Sequence, residues 1–168
     1  MKRIPFFISV CALAALAAPT LPYARESNEA QIRALEMKFA AAASAKDVDA
    51  IMRAYVPDES LFVFDVIMPR QYVGAAAYRK DWSDFLATFS GPVKFEISDL
   101  AVSGDGEIAY GHSVQHVVGT DTKGHAVEFV VRVTDVYRKI KGQWLIVQEH
   151  VSVPVDMNAN KPDMMSKP

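Results

Sequence analysis

The chain has 168 residues, 51% of them hydrophobic and 23% charged, which is the make-up of one soluble domain with a buried core and excludes a disordered segment or a repeat array. Lys and Arg number 18 against 20 Asp and Glu, with no basic cluster, so neither nucleic acid nor an acidic membrane surface is an expected partner. Cys11 is the single cysteine, so no internal disulfide can form.

The chain opens Met1-Lys2-Arg3, continues with an apolar run from Ile4 to about Ala18, and then meets Pro19, Thr20 and Pro22. That order of basic, apolar and breaking residues is the pattern of a secretory signal, and the run is too short to span a bilayer comfortably. Residues 1–24 are therefore predicted to be a signal peptide, cut after Ala17 or Ala24. The protein is then exported, to a periplasm or to the medium, and keeps no membrane segment.

Residues 25–153 are expected to form the domain and 154–168 a flexible C-terminal tail rich in proline and polar residues. From Glu26 to Ala45 the spacing of Ile32, Leu35 and Phe39 predicts a helix, with Ser27 or Asn28 as its cap. Asp47 caps a second helical pattern, carried by Val48, Ile51, Met52 and Tyr55 until Pro57. Leu61 to Asp65 reads as a short strand, and a loop through Met68, Pro69 and Arg70 leads past Gly74 to a third helix bearing Tyr78, Trp82, Phe85, Leu86 and Phe89. After Pro92 the chain reads as four strands, near 93–103, 107–119, 125–140 and 143–153, divided by short turns. The predicted fold class is α+β: three N-terminal helices packed on the concave face of a curved antiparallel sheet, closing a cone around a pocket.

Counting by twos from a two-residue turn at Lys141-Gly142 puts Asp135 and Tyr137 on one face with Trp144, Ile146, Gln148, His150 and Ser152, and puts Arg132, Thr134 and Glu149 on the other. A four-residue loop from Asp121 to Gly124 would add Tyr110, His112 and His116 to the face of Asp135. Val130, Val136, Leu145, Val147 and Val151 then fall on the opposite face, which is too apolar to be left wet and predicts a homodimer through the convex side of the sheet.

Asp65 to Trp82 and, more specifically, Arg132-Val-Thr-Asp-Val-Tyr-Arg-Lys and Gly142-Gln-Trp-Leu-Ile-Val-Gln-Glu-His-Val-Ser-Val-Pro resemble the SnoaL-like branch of the NTF2-like superfamily. The resemblance implies a cone-shaped fold but does not choose among isomerases, cyclases, dehydratases, binding proteins and assembly domains. By likeness to the ketosteroid isomerases of that superfamily, Asp65 matches the carboxylate that shuttles a proton and Asp135 the acid that donates a hydrogen bond to the developing enolate. Where those isomerases carry an oxyanion tyrosine on the first helix, this chain has Phe39, so half of that oxyanion site is missing unless Tyr55, Tyr78 or another hydroxyl replaces it.

The candidate catalytic residues are Asp65, Asp135 and His150, with Tyr72, Tyr78, Trp82, His112, His116, Tyr137 and Gln148 as ligand contacts. A base beside a carbonyl needs a dry site with a donor for the oxygen. Asp65 stands next to Phe62 and Phe64, although a strand-end Asp more commonly caps a loop or pairs with an Arg such as Arg70. The aromatic face of the third helix is as readily explained by core packing as by a pocket for a small apolar carbonyl or aromatic compound. His112 and His116 lie about 13 Å apart if they share a strand, too far for one ion. No ligand-spacing motif, Gly-rich phosphate loop or Cys pair is present, so no metal and no cofactor is expected. The alternative to a pocket protein with acid-base chemistry is a non-catalytic assembly domain whose pocket is vestigial.

Overall fold

The computed structural model describes residues 27–165, so the predicted signal peptide lies outside the described residues. Helix α1 spans Asn28–Ser44, with the Ser27 hydroxyl accepting from the Ala30 N–H at its start. Helix α2, Val48–Met52, is capped by Asp47 in the same way. It ends before Tyr55, which the sequence pattern had included: there the chain leaves the helix and bridges to Ile146. Strands β1, Phe62–Phe64, and β2, Tyr72–Val73, flank the loop that carries Asp65, and α3 runs over Ala75–Ala87. The long strands are β3, Lys94–Asp105; β4, Ile108–Thr120; β5, Ala126–Ile140; and β6, Gln143–Ser152.

One six-stranded sheet has the order β2-β1-β6-β5-β4-β3. It is antiparallel except where β1 lies parallel to β6, so the sheet is mixed rather than purely antiparallel. The helices cover its inner face. Ile32, Phe39 and Ala43 of α1, Tyr78, Trp82 and Leu86 of α3, and Val117, Tyr137, Trp144 and Ile146 of the sheet are buried together. Phe39 is the hub of an aromatic cluster, edge-on to Tyr55, Trp82 and Phe95 at centroid distances of 6.0, 5.4 and 5.6 Å.

Two counts made from the sequence are corrected here, each by one residue. Tyr137 pairs with Ile146, but its neighbour Val136 pairs with Gln148, so Val147 is an extra residue without a partner. This β-bulge restarts the alternation of β6. Trp144 and Ile146 face inward as counted, whereas Gln148 and His150 turn outward and Glu149 turns inward opposite Asp135. Val151 also moves to the inner side, where it lines the cavity. Between β4 and β5, Thr120 pairs with Ala126, so the connection is longer than the assumed loop. Gly111, not Tyr110, opposes Asp135, and Tyr110, His112 and His116 lie on the outer face.

Within the segment expected to form a loose tail, residues 155–164 form a short hairpin that reaches back to the sheet. Strand β7, Val155–Asp156, pairs with β8, Lys161–Pro162, and the Met164 carbonyl accepts from the Val130 N–H at 2.7 Å. That contact falls where β6 has already ended beside β5.

Candidate functional site

A cavity of about 210 Å³ opens between α3, the loop after β1 and the inner face of the sheet. Its walls are Tyr78, Trp82 and Phe85 of α3, with Phe95, Phe129 and Val131 from the sheet. Its polar groups are Asp65 and Asp81 near the mouth, Gln115 on the sheet, and Glu149 at the floor. Met164 of the tail closes one side.

Each acid is placed by its element. Asp65 follows the last residue of β1, so its side chain turns toward α3 instead of joining a ladder, and its Oδ1 accepts from the Val66 N–H at 2.5 Å. Burial raises its pKa against that hydrogen bond, and the negative charge of Asp81 raises it further. Asp81 is raised by burial too, partly offset by the Tyr72 hydroxyl, which donates to it at 2.6 Å.

Glu149 is 3% exposed and takes two phenols, with Tyr55 donating at 2.7 Å and Tyr78 donating in a short bond. Burial pushes its carboxyl up to about 7 although both tyrosines favour the anion. Behind it on β5 lies Asp135, held well above the usual carboxylate range by burial and then by the charges of Glu149 and Glu36. The two carboxyls are cross-strand partners on β5 and β6, and Asp135 Oδ1 has no hydrogen-bond partner among the other side chains. Glu36 of α1 completes the group. It is 1% exposed, accepts from the Tyr137 hydroxyl at 2.9 Å, and is pushed up to about 7 by burial.

Three acids share one low-dielectric interior in which isolated charges are costly. Burial plus mutual repulsion keeps protons on some of them near neutral pH, and Asp135 holds its proton most tightly. Such a cluster can both donate and accept a proton near neutral pH.

The sequence-derived candidates divide accordingly. Asp65, Tyr78 and Trp82 line the cavity. Asp135 and Tyr137 stand behind its floor, joined to it through Glu149. Tyr72 holds Asp81 from outside. His150, Gln148, His112 and His116 do not reach the cavity. His150 packs its ring against Phe64 on the outer face at 5.5 Å, and His116 meets Glu128 at 2.9 Å.

Sequence reasoning missed Glu149 and Glu36. The bulge concealed Glu149. Glu36 was visible in principle, because it interrupts the apolar stripe Ile32, Phe39 and Ala43 with a charged residue at helical spacing. Among the described residues no group of three His, Cys, Asp or Glu side chains is arranged to hold a metal ion.

The family model of the SnoaL-like domain matches residues 32–156. Among solved structures, an NTF2-like protein of unknown function from Pseudomonas putida KT2440 is 30% identical, with a TM-score of 0.73, over 84% of this chain and 99% of that one. A candidate calcium/calmodulin-dependent protein kinase II association domain from Xanthomonas campestris is 24% identical over 80% of this chain and 91% of its own, with a TM-score of 0.63. A candidate scytalone dehydratase from Novosphingobium aromaticivorans shares the fold at 16% identity, covering 74% of this chain and 83% of its own, with a TM-score of 0.66. No curated protein matches. The match across most of the described chain and the cone of helices on a bulged sheet agree: the chain belongs to the SnoaL-like domain family and has the NTF2-like fold.

Proposed function

We propose that the cavity binds a small, mostly apolar carbonyl or aromatic compound and moves a proton on it, with Asp65 at the mouth and Glu149 at the floor as the acid-base pair. The observation that carries this reading is that both carboxyls line one aromatic cavity and both have raised pKa values. A carboxyl poised near neutral pH is an effective general acid or base. Asp135 supports Glu149 from behind, and the Tyr55 and Tyr78 hydroxyls that donate to Glu149 are the phenols available in place of the hydroxyl that Phe39 lacks. Dehydration, the reaction in the name of one structural neighbour, is among the chemistries such a pair supports.

The test is deuterium uptake at the α-carbon of cyclic ketones and dihydroxy-aromatic ketones in D₂O, followed by NMR. The wild-type protein is expected to exchange the α-proton of at least one compound, and Asp65→Asn and Glu149→Gln to slow it by roughly 10²-fold or more. Absence of binding and exchange across the set, or full exchange by both variants, overturns the reading.

A second reading is a non-catalytic assembly domain. It is favoured by Phe39, whose ring fills the deep part of the cone against Tyr55, Trp82 and Phe95 and leaves only the smaller cavity described above. In either reading the outer face of the sheet is inferred to join two copies of the chain. Val130, Val136 and Leu145 lie there, as do the edge-on rings of Phe62 and Phe64, with exposed Tyr110 opposite Val136. Export rests on the order of residues in the first 24 positions and is part of the same proposal.

A further inference from the structure

The buried acids are joined in sequence from the cavity to another surface. Glu149 forms the cavity floor and is the cross-strand partner of Asp135, whose Oδ1 is buried without a hydrogen-bond partner. The Tyr137 hydroxyl lies 3.4 Å from Asp135 Oδ2 and donates to Glu36 at 2.9 Å. Glu36 in turn lines a groove between α1 and β3, together with Arg33, Met37, Ser98 and Asp99. That groove sits at an irregularity of β3: regular pairing with β4 breaks between Ser98 and Ala101, and Asp99 takes a left-handed φ of 52°. The sheet is thus opened beside the buried end of the chain of acids.

We propose that Glu149, Asp135, Tyr137 and Glu36 form a proton path from the cavity floor to the groove between α1 and β3, so that a proton taken from a ligand at Glu149 leaves the protein at Glu36.

The transfer balances. Before it, Asp135 carries its proton on Oδ2, the oxygen beside Tyr137, its Oδ1 is free to accept, Tyr137 is a neutral phenol, and Glu149 and Glu36 are anions. Glu149 takes the ligand's proton and passes it to one oxygen of Asp135; Asp135 gives the proton on Oδ2 to the Tyr137 oxygen; Tyr137 gives its own to Glu36. Asp135 and Tyr137 end with their charges unchanged and are reset when the Asp135 proton returns to Oδ2 and the Tyr137 hydroxyl turns back to Glu36; Glu149 is again a base, and Glu36 holds the proton that water in the groove removes. The firm hold of Asp135 on a proton fits a carrier that is protonated in both resting states.

The groups facing the path are Glu36 from α1, Tyr55 after α2, Asp65 after β1, Tyr78 and Asp81 from α3, and Arg33 at the exit, which is bonded to Glu29. Asp65 and Tyr78 face Glu149 from the cavity side, so the path lets the floor reset without sending its proton past a bound ligand.

The inference rests on the proposed function only in making Glu149 the group that meets the ligand, and its test uses none. Carbon-13 relaxation dispersion on the Glu36 and Glu149 carboxyls near pH 7 measures their protonation exchange as buffer concentration is varied. In the wild-type protein both carboxyls are expected to show one shared rate independent of buffer, the mark of transfer inside the protein. Tyr137→Phe removes the middle oxygen without altering charge and should slow that rate by roughly a hundredfold, leaving only exchange that scales with buffer. Glu36→Gln should do the same at Glu149 and guards against misfolding of the first variant. Separate or buffer-dependent rates in the wild-type protein, or an unchanged rate in both variants, overturn the path. A shared rate without any ligand exchange would overturn the proposed function alone.

Discussion

Asp135 and Glu149 face each other across β5 and β6 on the buried side of the sheet, two carboxyls paired out of reach of water. With Glu36 they form a set of acids that bind protons more tightly in the folded chain than in the unfolded one.

The first prediction concerns stability against pH. Glu36 and Glu149 each rise from 4.5 to about 7 on folding, so between those values the folded state binds more protons than the unfolded state. Their contribution is complete below about pH 4.5 and is lost as pH rises through about 7. The exposed carboxylates held low, such as Asp121, act below that window. Denaturant melts should therefore show stability falling from pH 5 to pH 8, and Glu149→Gln should flatten the slope. A rise over the same range would contradict the burial of these acids.

A second prediction tests the packing behind the floor. Gly111 opposes Asp135 on β4, and a Cβ there would lie 3.2 Å from the Tyr137 ring, from its hydroxyl and from the Ala101 carbonyl oxygen. Gly111→Ala should cost about 1–3 kcal/mol by forcing that ring to shift, and should also raise the titration midpoint of Glu36, whose anion the Tyr137 hydroxyl favours. Thermal melts and the carboxyl titration check the two effects separately.

A third concerns assembly. Val136→Arg places a charge on the outer face between Tyr110 and Gln148. Sedimentation should show a dimer for the wild-type protein and a monomer for the variant, with helical content unchanged. A monomeric wild-type protein would remove the proposed interface.

A fourth concerns export. Expression of the full chain with its first 24 residues intact should yield protein outside the cytoplasm that begins at Ala18 or Arg25, read by mass spectrometry of the intact chain. Retention in the cytoplasm with Met1 or Lys2 still present would contradict the signal.

The fold was legible because its evidence is spread over many residues. Helical spacing in Ile32, Leu35 and Phe39, the Asp47 cap, and the turns at Gly104-Asp105-Gly106 and Lys141-Gly142 each survive an error of one position. The site was legible only in part because it depends on parity. Asp65, Tyr78 and Trp82 line the cavity, and their elements do not depend on parity: the first follows a strand end and the others sit on an amphipathic helix. His150 and Glu149 are neighbours in sequence, and the single unpaired Val147 decides which of them enters the core. Nothing in Leu145-Ile146-Val147 marks where the extra residue falls, since any of the three fits a half-buried strand. His112 and His116 were displaced by the same arithmetic at the Asp121 turn.

The contact between Met164 and Val130 reaches beyond the cavity. Strand β5 continues past the end of β6, and that stretch would otherwise present unpaired N–H and C=O groups along one side. The hairpin of β7 and β8 lays the tail over it and satisfies the Val130 N–H. An unprotected strand edge recruits strands from other molecules. The closing residues of this chain therefore serve as a guard against edge-to-edge aggregation, and a protein shortened at Val153 would trade a wider cavity mouth for a tendency to self-associate that has nothing to do with the dimer face.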